Sequence, residues 1–120
     1  MYVLMENKML NAIKIDVERQ EVYSIEVEKS LNGYYNAIGN DCSLIEVATY
    51  LPSKKSRFGD VVYVDEEGLM KKPMGYFTLF GRTYVNNAII LGSEETDDGV
   101  ESTHTSYSVE EIKGLVGFVG

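Results

Sequence analysis

Cysteine, histidine and tryptophan are scarce in this chain of 120 residues, which has one Cys, one His and no Trp. A lone cysteine excludes an intramolecular disulfide, so Cys42 is expected to be a small core residue in a protein of a reducing cytoplasm. One Cys and one His are also too few for a zinc site built from these ligands. The glycine-rich GxxxxGK[ST] and GxGxxG loops are missing as well, which disfavours ATP- and NAD-dependent chemistry. We therefore predict a protein that is not an enzyme, with no catalytic residues, no metal and no cofactor.

The chain also lacks long hydrophobic runs and has few basic residues. No apolar run approaches the roughly 20 residues that span a bilayer, and no basic stretch precedes an apolar one near Met1, so neither membrane insertion nor secretion is expected. The chain carries 11 Lys and Arg against 19 Asp and Glu, which gives a net charge of −8. Because Lys and Arg carry most binding to phosphates, this balance disfavours direct contact with nucleic acid or membranes. The acidity favours solubility as its explanation, with mimicry of DNA charge as the alternative.

The composition that remains is that of an ordinary folded domain. Hydrophobic residues make up 44% and charged residues 25% of the chain, and both values are close to those of globular proteins. A chain of this length has room for one hydrophobic core. Residues 1–8 have no clear period and are interpreted as a leader or an extra edge segment, and residues 9–120 as a single domain.

Strand patterns dominate that domain. Alternating or β-branched apolar residues predict six strands, which are Asn11–Asp16, Val22–Val27, Leu44–Leu51, Asp60–Val64, Tyr76–Phe80 and Ala88–Leu91. The first two strands, joined by residues 17–21, are predicted to form a β-hairpin. Residues 81–87 carry turn residues and predict a connection. Residues 93–105 are polar and acidic, and predict an exposed loop.

Two helices are predicted from their capping residues. Ser30 is a suitable N-cap, apolar residues follow it at helical spacing, and Gly39 is placed to end that segment. Ser108 and Glu111 match a capping box, which predicts a C-terminal helix; its apolar stripe is Val109, Ile112, Leu115 and Val116. The fold class is therefore α+β, with one antiparallel sheet of five or six strands, a short helix after Ser30 and a C-terminal helix.

The few basic residues cluster beside aromatic ones in three places. These are Lys54, Lys55 and Arg57 with Phe58; Lys71 and Lys72 with Tyr76 and Phe77; and Arg82 with Tyr84. Cationic side chains contact phosphates and aromatic rings stack on bases, so this mixture suits a nucleotide-like ligand. The more common alternative is a set of solvated loop charges next to core aromatics.

The segment DVVYVDEEGL (Asp60–Leu69), followed by YFTLFG and NNAIILG, resembles a family of small proteins encoded by phages and mobile elements. That family is catalogued as a domain of unknown function. NAIKID and EVYSIEVEKSL extend the resemblance to residues 9–92, and VDEEG is its most specific part. The resemblance implies a compact β-rich domain with helices, a phage or prophage origin and no catalytic residue. Phage accessory proteins of this size sequester nucleotide immune signals, inhibit host proteins or regulate phage genes.

Two functional hypotheses follow. The first is a counter-defence protein that sequesters a nucleotide-derived immune signal, of the cyclic nucleotide or cyclic ADP-ribose class. Its predicted ligand-binding residues are Arg82, Tyr84, Phe77, Asn86 and Asn87, with Arg82 first. The second is an acidic inhibitor that mimics nucleic acid toward a host defence protein through Asp65, Glu66, Glu67 and residues 94–101. A phage regulatory protein is a further alternative, and the sequence leaves homo-oligomer formation open.

Overall fold

The computed structural model describes residues 8–53 and 55–120, and this part of the chain forms nine β-strands and two α-helices. In chain order the elements are β1 (Met9–Asp16), β2 (Glu21–Glu28), α1 (Leu31–Ile38), β3 (Ile45–Leu51), β4 (Asp60–Asp65), β5 (Tyr76–Leu79), β6 (Arg82–Val85), β7 (Ala88–Thr96), β8 (Gly99–Thr103), α2 (Val109–Lys113) and β9 (Val116–Val119). A single 3₁₀ turn, Gly68–Met70, lies between β4 and β5.

The strands form two antiparallel sheets. The larger sheet has the order β2-β1-β7-β4-β3, and β8 pairs with β7 alone; the smaller sheet has the order β6-β5-β9. Strand β7 is central, because Ala88, Ile89 and Ile90 pair with both β1 and β4. Its second half, Gly92–Thr96, pairs only with β8. The β7–β8 hairpin therefore extends beyond the part of β7 that β1 and β4 flank.

Hydrophobic residues cover both faces of the larger sheet. One face carries Ile13, Ile15 and Ile90, and packs against residues of the smaller sheet and Ile112 of α2. The opposite face carries Ile89 and packs against α1, whose contributing side chains are Tyr34 and Ile38. Because neighbouring residues of a strand point to opposite faces, four consecutive buried residues in β7 fit a strand covered on both sides. The domain is therefore a layered α+β structure.

The local predictions are confirmed closely. All six predicted strands exist with shifts at their ends, and β1 and β2 form the predicted hairpin. The hydroxyl of Ser30 accepts a hydrogen bond from Gly33 N–H at 3.0 Å. Gly39 ends α1 at φ +78° and donates its N–H to the carbonyl of Tyr35. The α+β class is confirmed, but the prediction of one sheet with five or six strands is wrong.

The predicted connection at residues 81–87 contains a strand, β6. Strands β5 and β6 are joined by Phe80 and Gly81, whose φ angles are +51° and +76°, and Leu79 pairs with Arg82 across them. Two consecutive residues with positive φ are characteristic of the tight type I′ hairpin turn. The turn needs only two residues, so the β-branched and aromatic residues that follow it pair as a strand.

The predicted acidic loop at residues 93–105 is also wrong, because these residues form most of the β7–β8 hairpin. The pairing runs from Gly92 opposite Thr103 to Thr96 opposite Gly99. Basic residues from elsewhere neutralise part of its charge: Lys29 Nζ lies 2.7 Å from Glu101 Oε1. The hydrogen bond from Lys29 lowers the pKa of Glu101. A strand pair supported by such distant partners cannot be recognised from local polarity alone.

The C-terminal helix is shorter than its apolar stripe predicts. The capping box between Ser108 and Glu111 is confirmed, but α2 ends at Lys113. Val116, predicted on the helix, begins strand β9, which pairs with β5. Gly114 has low helix propensity and valines favour strands, so the open edge of β5 determines the structure of this segment.

Two further predictions concern the compartment and the chain start. Cys42 is half-buried, packs against the cluster around α1, and burial raises the pKa of its thiol. In the described residues no helix is long and apolar enough to cross a membrane. Except for Lys8, the segment predicted to be a leader or extra edge lies outside the described residues.

The turn between β1 and β2 gives a test of acid stability. Burial of Asp16 would raise its pKa, but hydrogen bonds from Arg19 N–H and Tyr23 O–H outweigh burial, so the pKa lies below its ordinary value of 3.8. A lowered pKa stabilises the fold above pH 3.8, and this stabilisation disappears as pH falls through the folded-state pKa. We expect Asp16→Asn to lose less stability on acidification than the unmodified protein, measured by urea unfolding between about pH 6 and pH 2. Glu18→Gln, an exposed change in the same turn, is the control; equal acid sensitivity of the Asp16→Asn and unmodified proteins would contradict the assignment.

Candidate functional site

Two of the predicted ligand residues, Phe77 and Tyr84, meet across β5 and β6. They are directly paired in the register, and their rings stack with centroids 5.2 Å apart. Phe77 has 0% exposed surface, and Tyr84 is half-buried against the same core. Phe77 is therefore a core residue with no surface to present to a ligand, which corrects its predicted role.

Arg82 lies at the start of β6, where its side chain is exposed. It is two residues from Tyr84, and alternate residues of a strand share a face. The predicted proximity of these two side chains on one edge is therefore consistent with the register. A ligand contact by Arg82 stays a prediction.

The predicted ligand residues Asn86 and Asn87 are buried, with 2% and 6% of their surfaces exposed. Asn86 accepts a hydrogen bond from Met74 N–H at 2.7 Å. Asn87 accepts one from Val17 N–H at 2.9 Å and donates one to the carbonyl of Ile38 at 3.1 Å. The Oδ1 of Asn86 and both amide groups of Asn87 thus satisfy backbone groups, whereas Nδ2 of Asn86 is buried without a hydrogen-bond partner among the described residues. Both residues contribute hydrogen bonds to the fold, and a ligand contact by either of them stays a prediction.

The space next to Tyr84 is small. A cavity of about 120 Å³ is lined by Tyr84, Val85, Leu69 and neighbouring residues. Sites for small molecules generally measure about 300–1,000 Å³, so this cavity cannot enclose a nucleotide. The structure does not assemble the five predicted residues into one site.

A larger cleft lies beside the first basic cluster, between the loop of residues 53–59 and the β7–β8 hairpin. Its volume is about 610 Å³, which is within the range of ligand sites. The cleft is lined by Lys55, Ser56, Arg57, Phe58, Ser93, Glu94, Glu95, Thr103 and His104. It is the candidate site, and we call it the arginine cleft.

The described residues of this loop, Ser53 and residues 55–59, are held by local hydrogen bonds. Ser53 Oγ accepts hydrogen bonds from Lys55 N–H at 3.0 Å and Ser56 N–H at 3.1 Å, and Ser56 Oγ accepts one from Phe58 N–H at 3.1 Å. Serine hydroxyls that bind nearby backbone N–H groups in this way stabilise turns. Gly59 then returns the chain to β4 at φ +75°, where a Cβ would lie 2.6 Å from a backbone oxygen of β3. The sequence therefore fixes the positions of Arg57 and Phe58.

Arg57 makes two contacts in the cleft. Its Cζ lies 4.9 Å from the centroid of the Phe58 ring, a cation–π contact. Its Nη2 lies 3.2 Å from Glu95 Oε2, and the two side chains are 75% and 60% exposed. Exposed ion pairs contribute only about 0–1 kcal/mol. The guanidinium is thus oriented by Phe58 and remains accessible to a ligand.

His104 lies in the opposite wall, where hydrogen bonds of its own ring and of the next two residues hold it. Its Nδ1 accepts a hydrogen bond from Asn11 N–H at 2.9 Å, so the proton of the neutral ring is on Nε2. The next two residues are anchored to the buried carboxylate of Asp60, which accepts from Thr105 Oγ1 at 2.6 Å and Ser106 Oγ at 2.7 Å. The wall therefore offers a positioned imidazole with an Nε2–H donor.

Lys71, in the second basic cluster, has a structural role. Lys71 Nζ donates to Asp65 Oδ2 at 2.7 Å and to the carbonyls of Asn40 and Asp41, each at 2.9 Å. The hydrogen bond to Asp65 raises the pKa of Lys71. These three acceptors match the three N–H donors of an ammonium group.

Within residues 8–53 and 55–120, no group of three or more His, Cys, Asp or Glu side chains is arranged to hold a metal ion.

No family profile, curated protein or solved structure matches this chain. The resemblance through VDEEG consequently stays a prediction. The functional argument therefore depends on the geometry of the arginine cleft.

Sequence reasoning recognised only part of this cleft. The combination of Lys55, Arg57 and Phe58 was visible as a basic cluster beside an aromatic residue, although Arg82 was ranked above it. Glu95 was predicted only as part of the acidic segment 94–101, and His104 was not predicted as a ligand residue, because distant strand pairing brings both of them to the loop.

Proposed function

We propose that this chain is a non-enzymatic binding protein that sequesters a nucleotide-derived signal, of the cyclic nucleotide or cyclic ADP-ribose class, in the arginine cleft. The observation that carries the proposal is the stack of Arg57 on Phe58 in a cleft of about 610 Å³. A guanidinium binds phosphate oxygens through its planar fork, and an aromatic ring stacks on a base. Lys55 and the Nε2–H of His104 supply further donors.

The position of His104 supports binding over turnover. In hydrolytic triads the histidine donates Nδ1–H to a carboxylate, which orients the ring as a general base. In this chain Nδ1 of His104 is instead an acceptor from the backbone N–H of Asn11. A ring held in this way suits hydrogen bonding to a ligand from Nε2.

The biological setting is proposed from the resemblance of the VDEEG segment to phage proteins. A phage protein that holds an immune signal without converting it lowers the free concentration of that signal. Such a counter-defence role requires tight binding and no catalytic group, which is consistent with the cleft.

The β7–β8 hairpin is the observation that favours the second candidate, an acidic inhibitor that mimics nucleic acid. Asp97 and Asp98 are exposed at its tip. Two other carboxylates of the hairpin, on Glu95 and Glu101, already have basic partners. Fewer charges are therefore available for a basic partner than the sequence indicates, and we rank this function second.

Calorimetry against cyclic nucleotides and cyclic ADP-ribose isomers tests the first proposal. We expect Arg57→Ala to reduce affinity for the binding member by roughly 10- to 100-fold, the effect of losing a charge-assisted hydrogen bond. The melting temperature should hardly change, because Arg57 is 75% exposed. Arg57→Lys should lose much of the same affinity, because an ammonium lacks the planar fork.

Arg82→Ala is the matched control, since it removes an exposed arginine from the originally predicted site. A loss of affinity in Arg82→Ala with none in Arg57→Ala would place the ligand on β6 and refute the arginine cleft. No heat with any compound would refute nucleotide sequestration, and salt-sensitive retention by a basic host protein would then favour nucleic-acid mimicry.

A further inference from the structure

Glu95 and Arg57 both line the arginine cleft and contact each other. The contact is a single one, with Nη2 and Oε2 3.2 Å apart, and not a two-point pairing of guanidinium with carboxylate. Arg57 is held independently by Phe58, because its Cζ lies over that ring. The carboxylate can therefore leave without the guanidinium losing its orientation.

We propose that Glu95 acts as an internal competitor, whose carboxylate occupies the position on Arg57 that a ligand phosphate takes, so that the cleft selects singly charged phosphodiesters over polyphosphates. This inference rests on the proposed function and narrows its ligand to cyclic mononucleotides, because cyclic ADP-ribose contains a diphosphate and carries more than one negative charge. Carboxylate and phosphate oxygens accept from the same kind of guanidinium N–H donor, so a phosphate that takes the Nη2–H bound by Glu95 must displace this carboxylate.

The charges around the cleft support this selection. Among its lining residues, Lys55 and Arg57 are cationic, and Glu94 and Glu95 are anionic. A ligand with one negative charge replaces the single negative charge of the Glu95 carboxylate at Arg57. Each additional phosphate charge of a polyphosphate meets the two carboxylates and the field of a chain with net charge −8. Within the part of the cleft lining that the structure describes, these two cations leave little positive charge with which to compensate that repulsion.

The exposure of the pair makes the exchange feasible. The side chains of Arg57 and Glu95 are 75% and 60% exposed, so water solvates both charges and the pair is weak. Glu95 lies in the half of β7 that pairs only with β8, close to the turn of that hairpin. A released Glu95 side chain can therefore turn into solvent without disturbing the central strands.

Titration with cyclic AMP, followed by the backbone amide signals of the cleft in NMR spectra, tests the proposal. We expect Glu95→Gln to tighten cyclic AMP binding by about 3- to 10-fold at low salt, the effect of removing a like charge ~6 Å from the phosphate in a solvent-exposed site. The gain should shrink as salt rises. Adenosine, which has no phosphate, should bind both proteins equally.

Asp97→Asn is the matched control, because it removes one carboxylate from the tip of the same hairpin, outside the cleft lining. It should change the affinity for cyclic AMP by less than about 2-fold, as expected for a more distant and screened charge. The unmodified protein should bind cyclic AMP more tightly than ATP. Glu95→Gln should narrow that difference, because ATP carries more charge.

The outcomes separate the competitor from the site itself. If cyclic AMP binds in the cleft but Glu95→Gln binds it no more tightly than Asp97→Asn does, the competitor is refuted and the site stands. Tighter binding of ATP than of cyclic AMP by the unmodified protein refutes the selection. If neither the unmodified protein nor Glu95→Gln shows shifts at Phe58 or His104 with cyclic AMP, the competitor and its selection are refuted, and the calorimetric panel decides separately whether the cleft binds another member of the proposed class.

Discussion

Phe77→Ala is expected to lower the free energy of unfolding by about 3–5 kcal/mol, the usual effect of removing a fully buried phenylalanine side chain. Phe77 is 0% exposed and belongs to the cluster that joins the two sheets. Removing its ring leaves a cavity and removes the partner on which Tyr84 stacks. Urea unfolding measures the change through the transition midpoint, provided that the slope of the transition is preserved.

Phe80→Ala provides the control, because Phe80 lies in the turn that directly follows β5 and is 57% exposed. It should change stability by no more than about 1 kcal/mol. Phe77→Leu, which retains most of the buried volume, allows ligand binding to be measured in a folded protein. A Phe77→Ala variant of unchanged stability that lost ligand affinity would restore the predicted ligand role.

The contrast between Phe77 and Ser30 shows which parts of the fold the sequence determines locally. Ser30 caps α1 through Gly33, three residues away, and the capping box of α2 spans the same separation. Such interactions depend on neighbouring residues, so their sequence patterns predict them well. The β1–β2 hairpin was predictable for the same reason.

Strand pairing over long separations could not be predicted in this way. The stretch at Val116 has apolar residues at helical spacing, but β5, about forty residues earlier, offers it an unpaired edge. The acidic β7–β8 hairpin depends in part on Lys29, which is 72 residues from Glu101. In both cases tertiary partners override a local signal. The number of strands and the second sheet were therefore missed.

The candidate site follows the same division. Arg57 and Phe58 are adjacent, so their cation–π contact was visible as a local combination of residue types. Asn86 and Asn87 belong to a segment predicted as a connection, yet both are buried, and the hydrogen-bond partners of Asn87 are Val17 and Ile38, on distant segments. Burial of a polar side chain depends on whether the fold supplies partners for it. That information is not contained in the turn itself.

The buried carboxylate of Asp60 links these two levels of structure. It begins β4, directly after the cleft loop, and it is 0% exposed. Its oxygens accept three hydrogen bonds from the segment after His104: two from hydroxyls, and one from Ser106 N–H at 2.8 Å. Tyr107 O–H in addition donates to the carbonyl of Pro52. These hydrogen bonds therefore connect the two walls of the arginine cleft to each other.

Asp60→Ala is expected to lower the free energy of unfolding by about 2–4 kcal/mol, because it leaves buried donors without an acceptor that was charged. Asp60→Asn should have a smaller effect, since the two hydroxyl groups can reorient toward the amide. The backbone N–H of Ser106 cannot reorient, so part of the loss of stability remains. Asp98→Ala, an exposed change at the tip of the β7–β8 hairpin, is the control and should stay within about 0.5 kcal/mol. Urea unfolding gives the stabilities, and amide hydrogen exchange at His104 reports on the cleft wall, where we expect faster exchange in Asp60→Asn. Two results would show that this carboxylate does not hold the wall in place. One is an Asp60→Ala protein as stable as Asp98→Ala, and the other is unchanged hydrogen exchange at His104 in Asp60→Asn.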